Sequence, residues 1–129
     1  ASLYTDLSEV KDHVMLRPSK ELCEAAAYHA KDSGENGITG HVSSDGTEWD
    51  ERLERFLPSW YALAENCTYG SNRRYAINIV MNLLIDEKVS SLGHRKNILS
   101  DKYNHIGVSI MPHSTYTYNC VQDFANLKD

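Results

Sequence analysis

Four short pieces of this chain carry side chains that can hold a metal ion or move a proton. His41 follows a glycine-rich loop and precedes Asp45-Gly46, and Glu65-Asn66 ends an apolar run. Asp86 and Glu87 close an amphipathic run, and His94 lies in Ser91-Leu92-Gly93-His94-Arg95-Lys96-Asn97-Ile98-Leu99. Two imidazoles and a carboxylate, with one position open, form a chemically reasonable zinc set. No two of these residues lie at a local ligand interval such as His-x-x-x-His, so only the tertiary fold can bring them together. The same groups could activate water in a metal- or His-dependent hydrolase, with Glu65 and His94 as the acting pair. They could also be purely structural, with His94 pinning its loop and Glu65 satisfying backbone donors. No serine sits in a Gly-x-Ser-x-Gly elbow, and no cysteine is paired with histidine by wording.

The elements that must position these groups follow from periodicity. Leu3, Leu7, Val10 and Val14 have helical spacing, ending before Pro18. Ser19 is a fair N-cap for a helix to about Asp32, with Leu22, Ala25, Ala26, His29 and Ala30 on one face. Its small residues let a neighbour approach closely, and His29 reads as a partly buried helix histidine. Residues 33–40 read as a loop. Trp49, Arg52, Leu53, Phe56 and Leu57 suggest a helix ended by Pro58. Ser71 or Asn72 caps a helix carrying Ala76, Ile77, Val80, Met81, Leu84 and Ile85, followed by a loop that delivers His94. Ile106, Val108 and Ile110 alternate as a strand, Pro112 to Thr115 turn, and Tyr116 to Phe124 form the partner strand, with Tyr116, Tyr118, Cys120, Gln122 and Phe124 on one side. Helices first and a hairpin last make an α+β domain.

At 129 residues the chain suits one domain, residues 1–129, with a core of its own. The net charge of −5 gives no broad electrostatic grip on nucleic acid or anionic membrane. No run is long enough to span a bilayer. Ala1 opens the chain with neither an initiator Met nor an apolar leader, which carries no information about export. Cys23, Cys67 and Cys120 are too few and too widely spaced for a disulfide scaffold or a Cys-x-x-Cys site. One bridge, or three buried thiols, remain. Asn66-Cys67-Thr68 fits the glycosylation sequon, but local hydrogen bonds are the expected use of Asn66. Arg52 and Arg95 could orient site carboxylates through their planar forks, although surface ion pairs are the simpler use. Tyr69 and Tyr103 are candidates for a cleft rim. The ligand, a protein partner and the oligomeric state are not specified.

Taken in order, Leu22-x-x-x-Ala26-x-x-His29-Ala30, Gly40-His41 with Asp45-Gly46, Ala64-Glu65-Asn66, Gly93-His94-Arg95-x-Asn97-Ile98-Leu99 and Ile106-Gly107-Val108 resemble the CAP superfamily. This family comprises the cysteine-rich secretory, antigen 5 and pathogenesis-related 1 proteins, also called SCP domains. The likeness runs from about Leu16 to Phe124. Leu84-Ile85-Asp86 before the Gly-His-Arg element is closer to the microbial or divergent branch. The resemblance implies an α-β-α sandwich with a central antiparallel sheet, in a secreted or surface protein. It implies a cleft of two histidines and two acids binding a divalent metal, zinc for example, or a small ligand. His41 matches the first histidine, Glu65 the acid of the Glu-Asn motif and His94 the histidine of the Gly-His motif. The second acid falls on aliphatic residues near Leu83, so Asp86 replaces it one turn later or the set is a triad. The disulfide pattern of animal and plant members is missing, so their lipid-loop functions do not carry over.

Overall fold

The computed structural model describes residues 2–10, 15–85 and 93–127. Helix α1 (Ser2–Glu9) precedes a two-residue strand β1 (Arg17–Pro18) and the long helix α2 (Lys20–Asn36). Short α3 (Trp49–Glu54), strand β2 (Trp60–Tyr69), α4 (Ala76–Ile85) and α5 (Gly93–Leu99) follow, and the hairpin β3 (His105–His113) and β4 (Thr117–Leu127) completes the order. Among the described residues the sheet runs β1-β3-β4-β2. The three long strands are antiparallel, as expected, and β1 adds in parallel beside β3, so the sheet is mixed.

Helix α2 starts where Ser19 Oγ accepts from Leu22 N–H at 3.3 Å, the N-cap bond that satisfies one free helix-end donor. It runs past the expected end, through residues 33–36, and stops where Gly37 takes φ +65. Gly34, read as a loop signal, has a packing role instead, and Gly107 within β3 shares it. A Cβ on Gly34 would lie 1.9 Å from Pro112 O, and one on Gly107 would lie 2.1 Å from Leu22 C. Bare backbone at these two points lets α2 press directly onto β3. Ala25, Ala26 and Ala30 are fully buried in the same contact, with Leu22, Leu53 and Ala125 in one cluster and Cys67 and Val121 in the next.

The opposite face is covered by α4 and α5, with Ile79, Leu83 and Cys120 buried and Ile98 and Ile110 packed around them. Here the reading of α4 needs correction. Ile77, Val80, Met81 and Ile85 are exposed, whereas Ile79 and Leu83 face the sheet. The helix is apolar on most sides, so its period does not choose a face. Asn82, hydrogen-bonded to Thr68 Oγ1 at 3.0 Å, marks the side that meets β2. A second correction concerns the segment of His94, expected as a loop and found as helix α5. Because both faces of the sheet are covered, residues 119–125 of β4 are all buried rather than alternating.

The three cysteines are free. In the β2–β4 register Cys67 lies opposite Val121 and Cys120 opposite Thr68. Successive strand side chains alternate between faces, so Cys67 points toward α2 and Cys120 toward α4, which rules out a bond between them.

Candidate functional site

The site forms where α2, the loop carrying His41, α3 and β2 converge on Glu65. Strand periodicity sends Glu65 and Cys67 to the α2 face and Asn66 to the other. Glu65 is buried, and both of its oxygens are engaged. Arg52 donates from Nη1 to Oε2 at 2.7 Å and from Nη2 to Oε1 at 3.0 Å. His41 Nδ1 lies 2.9 Å from Oε1, and the Cys67 thiol donates to the same oxygen at 3.5 Å. Arg52 is itself fully buried, with Nε donating to Ser43 Oγ at 3.2 Å and Nη2 to the His41 carbonyl at 2.7 Å. The guanidinium thus locks α3 and the His41 loop around one carboxylate, and the fork geometry makes that lock directional.

Protonation states follow from these contacts. Burial alone would raise Glu65, but hydrogen bonds from Asp123, His41 and Arg52 hold its carboxyl well below the usual range, so it is ionised. An ionised acceptor beside His41 Nδ1 puts an imidazole proton on that nitrogen. Asp123 faces Glu65 across the β2–β4 register and is fully buried. Among the described residues no donor reaches either of its oxygens. Burial, then the hydrogen bond to Glu65 and that group's charge, push its pKa well up. Both observations are satisfied when Asp123 holds its proton and donates it to Glu65. Burial, reinforced by the Glu65 charge, likewise pushes the Cys67 thiol up, so it is no ready nucleophile.

His29 is also fully buried, with Nε2 2.9 Å from the Gly40 carbonyl and 4.0 Å from Glu65 Oε1. Burial lowers its pKa against the pull of Glu65, so it is neutral with the proton on Nε2. The ligand atoms of His29, Glu65 and Cys67 all lie within 4.8 Å of one another, and the group could hold a metal ion. His41 lies beside the group, with Nδ1 3.6 Å from Cys67 Sγ.

Of the residues singled out from the sequence, His41 and Glu65 meet directly. His94 opens α5, over the Asn66 face, and its carbonyl accepts from Asn66 Nδ2 at 3.2 Å. Asp86 and Glu87 lie outside the described residues. Arg52 is not a surface residue but the clamp on Glu65, while Arg95 pairs with Asp6 at 3.0 Å and donates to the carbonyls of Leu84 and Ile85. Tyr103 lines a cleft of about 320 Å³ with His41, Trp49, Leu63, Ala64, Glu65 and Asn97, whereas the Tyr69 hydroxyl accepts from Gly40 N–H at 2.8 Å. Asn66 is fully buried between Gln122, Asn97 and the His94 carbonyl, so its sequon is inaccessible in the fold.

His29, Cys67 and Asp123 belong to the site although the sequence reading did not place them there. A signal existed for Cys67, two residues after Glu65 and therefore on the same strand face. Asp123 sits between Val121 and Ala125, an acid on an otherwise apolar face. His29 was legible as buried but not as a neighbour of Glu65, because that contact is purely tertiary.

Among the described residues, no helix is long and apolar enough to cross a membrane. The sequence profile of the CAP family, described as the cysteine-rich secretory protein family, matches residues 12–124. Over 99 residues the chain is 29% identical to the uncharacterized membrane protein YlbC of Bacillus subtilis (strain 168), a match covering 77% of this chain and 26% of that protein. An extracellular protein containing an SCP domain from Bacillus anthracis str. Ames superposes with a TM-score of 0.73 at 22% identity, over 89% of this chain and 35% of that one. An outer surface protein from Borrelia burgdorferi gives 0.74 at 20% identity, over 98% and 91%. The chain therefore spans about a quarter of the Bacillus subtilis relative and about a third of the Bacillus anthracis protein. With the profile covering most of its length and both solved folds superposing on it, the chain belongs to the CAP family.

Proposed function

We propose that this is an extracellular or surface-displayed CAP domain whose Glu65-centred hollow binds a divalent metal, with zinc the best chemical match. The observation that carries the reading is the convergence of His29, Glu65 and Cys67 ligand atoms within 4.8 Å, with His41 against two of them. Imidazole, carboxylate and thiolate donors together suit zinc or another borderline-soft ion. The charges are compatible with one. Arg52 already neutralises Glu65, so a dication is balanced when Cys67 and Asp123 give up their protons. Uptake then releases protons and weakens in acid. The bound ion would supply Lewis acidity, and the protein's own part is to fix the donors through Arg52 and Asp123. The location is carried over from the extracellular and outer-surface proteins that share the fold.

Cobalt substitution tests this directly, because thiolate ligation gives a near-ultraviolet charge-transfer band. The wild-type protein is expected to show that band and to bind zinc calorimetrically. Cys67→Ala should abolish the band, and His29→Ala and His41→Ala should weaken zinc binding by about 10–100-fold. If Cys67→Ala leaves binding intact while His41→Ala and His94→Ala abolish it, the ion sits instead on the set read from the sequence, His41, Glu65 and His94. Absence of binding in the wild-type protein would leave the hollow a structural network.

A further inference from the structure

We propose that the outward face of α4 is a docking surface for an anionic lipid bilayer, to which the domain attaches peripherally without spanning it. Ile77, Val80, Met81 and Ile85 recur at the i, i+3, i+4, i+8 spacing of one helix face, opposite the inward Ile79 and Leu83. All four are exposed, Ile77 most of all at 67%. A stray apolar side chain on a surface needs no explanation, but a continuous stripe marks contact with something apolar.

The charge beside the stripe identifies that contact. Residues 66–85 contain Arg73 and Arg74 and no acid, in a chain whose net charge is −5. Both arginines stand just before the first turn of α4. Among the described residues neither pairs with a carboxylate. Arg73 donates from Nε to Thr68 Oγ1 at 2.8 Å and from Nη1 to Asn72 Oδ1. The Arg74 guanidinium lies 5.0 Å from the centre of the exposed Tyr75 ring and 6.0 Å from that of Tyr118. Apolar side chains bordered by arginine and tyrosine are the arrangement of a helix lying in a bilayer interface. The stripe enters the acyl boundary while the basic and phenolic groups stay among the headgroups. The net negative charge gives no broad attraction to such a surface, so the grip is local to these arginines and the stripe.

Two other occupants fit the face less well. A protein partner anchors its side chains in pockets, and none of the three described cavities is lined by a residue of α4. A two-fold pair of antiparallel α4 helices would set the arginines of one copy against the C-terminal end of the other. There the Leu84 and Ile85 carbonyls already accept from Arg95. Among the described residues a second copy thus offers the arginines no free acceptor at that end, whereas a layer of anionic headgroups offers one to each.

The test is flotation of the whole chain with vesicles of equimolar phosphatidylcholine and phosphatidylglycerol, against vesicles of phosphatidylcholine alone. Chelator is present throughout, so the outcome does not depend on metal. The protein should float with the anionic vesicles, and far less with the neutral ones or in molar salt. Ile77→Ser combined with Met81→Ser, both at exposed positions, should weaken binding at least about tenfold, and Arg74→Gln about fivefold. A spin-labelled lipid in the same vesicles should broaden the amide resonances of α4 in the wild-type protein, which decides the matter if the double variant fails to fold. Absence of flotation, equal flotation with both kinds of vesicle, or broadening confined to other elements would overturn the proposal. So would a dimer in sedimentation, without flotation, that the double variant dissociates, because the face then belongs to a second copy.

Discussion

Glu65 and Asn66 are neighbours on one strand, yet they build two different kinds of interior. On the α2 face, Glu65 gathers Arg52, His41, Cys67, Asp123 and His29 into a buried network containing full charges and a held proton. On the α5 face, Asn66 joins Gln122, Asn97 and the His94 carbonyl using neutral amides whose donors and acceptors match. The amide network can only hold α5 against the sheet. The charged one can change protonation, exchange a ligand or orient an imidazole, because its members are paired without being exhausted. A two-residue period separates scaffold from chemistry along a single strand.

The sharpest way to break that comparison is Arg52→Ala. It strands the Glu65 carboxylate in a buried site, and the expected loss of about 3–5 kcal/mol is readable by chemical denaturation. Asn66→Ala leaves neutral partners unsatisfied and should cost about 1–3 kcal/mol in the same measurement. Should Asn66→Ala prove the more damaging, the ranking of the two faces is wrong.

Asp123→Asn sharpens the comparison through pH. Asp123 is raised in the folded state above its ordinary 3.8, so the stability it confers is complete below that value and drains away as pH rises toward the folded pKa. The amide keeps a donor for Glu65 and never ionises. In chelator, the variant's advantage over wild type should be small near pH 4 and grow with pH, by at most about 1.4 kcal/mol per unit. A pH-independent difference would mean that Asp123 is already ionised in the fold. Glu65 tilts the other way, since its carboxyl is depressed and its contribution is lost only as pH falls below the ordinary value.

The smallest effect concerns the sequon. Expressed in a glycosylating host, the folded protein should carry no sugar on Asn66, and intact mass should show none, because the amide nitrogen is committed to Gln122 and the His94 carbonyl. A glycan on the folded fraction would mean that the α5 face opens.

Much of this protein was readable before any coordinates. Ser19 as a cap, the alanine face of α2, the terminal hairpin and the meeting of His41 with Glu65 follow from local chemistry and ordered motifs, which need only near neighbours or a family likeness. Other features were out of reach. The inward face of α4 is set by the sheet, since its sequence is apolar almost all round. Gly34 reads as a breaker until Pro112 O is seen lying where its Cβ would be.

The residues alone determined the helix and strand periods, and with them the fact that Glu65 and Cys67 share a face while Asn66 does not. Only the tertiary structure decided what waits on that face. Arg52 arrives from a helix 13 positions away and Asp123 from the facing strand. The proton between two acids exists only because both are buried together, and desolvation of that kind belongs to the assembled interior and to no stretch of sequence.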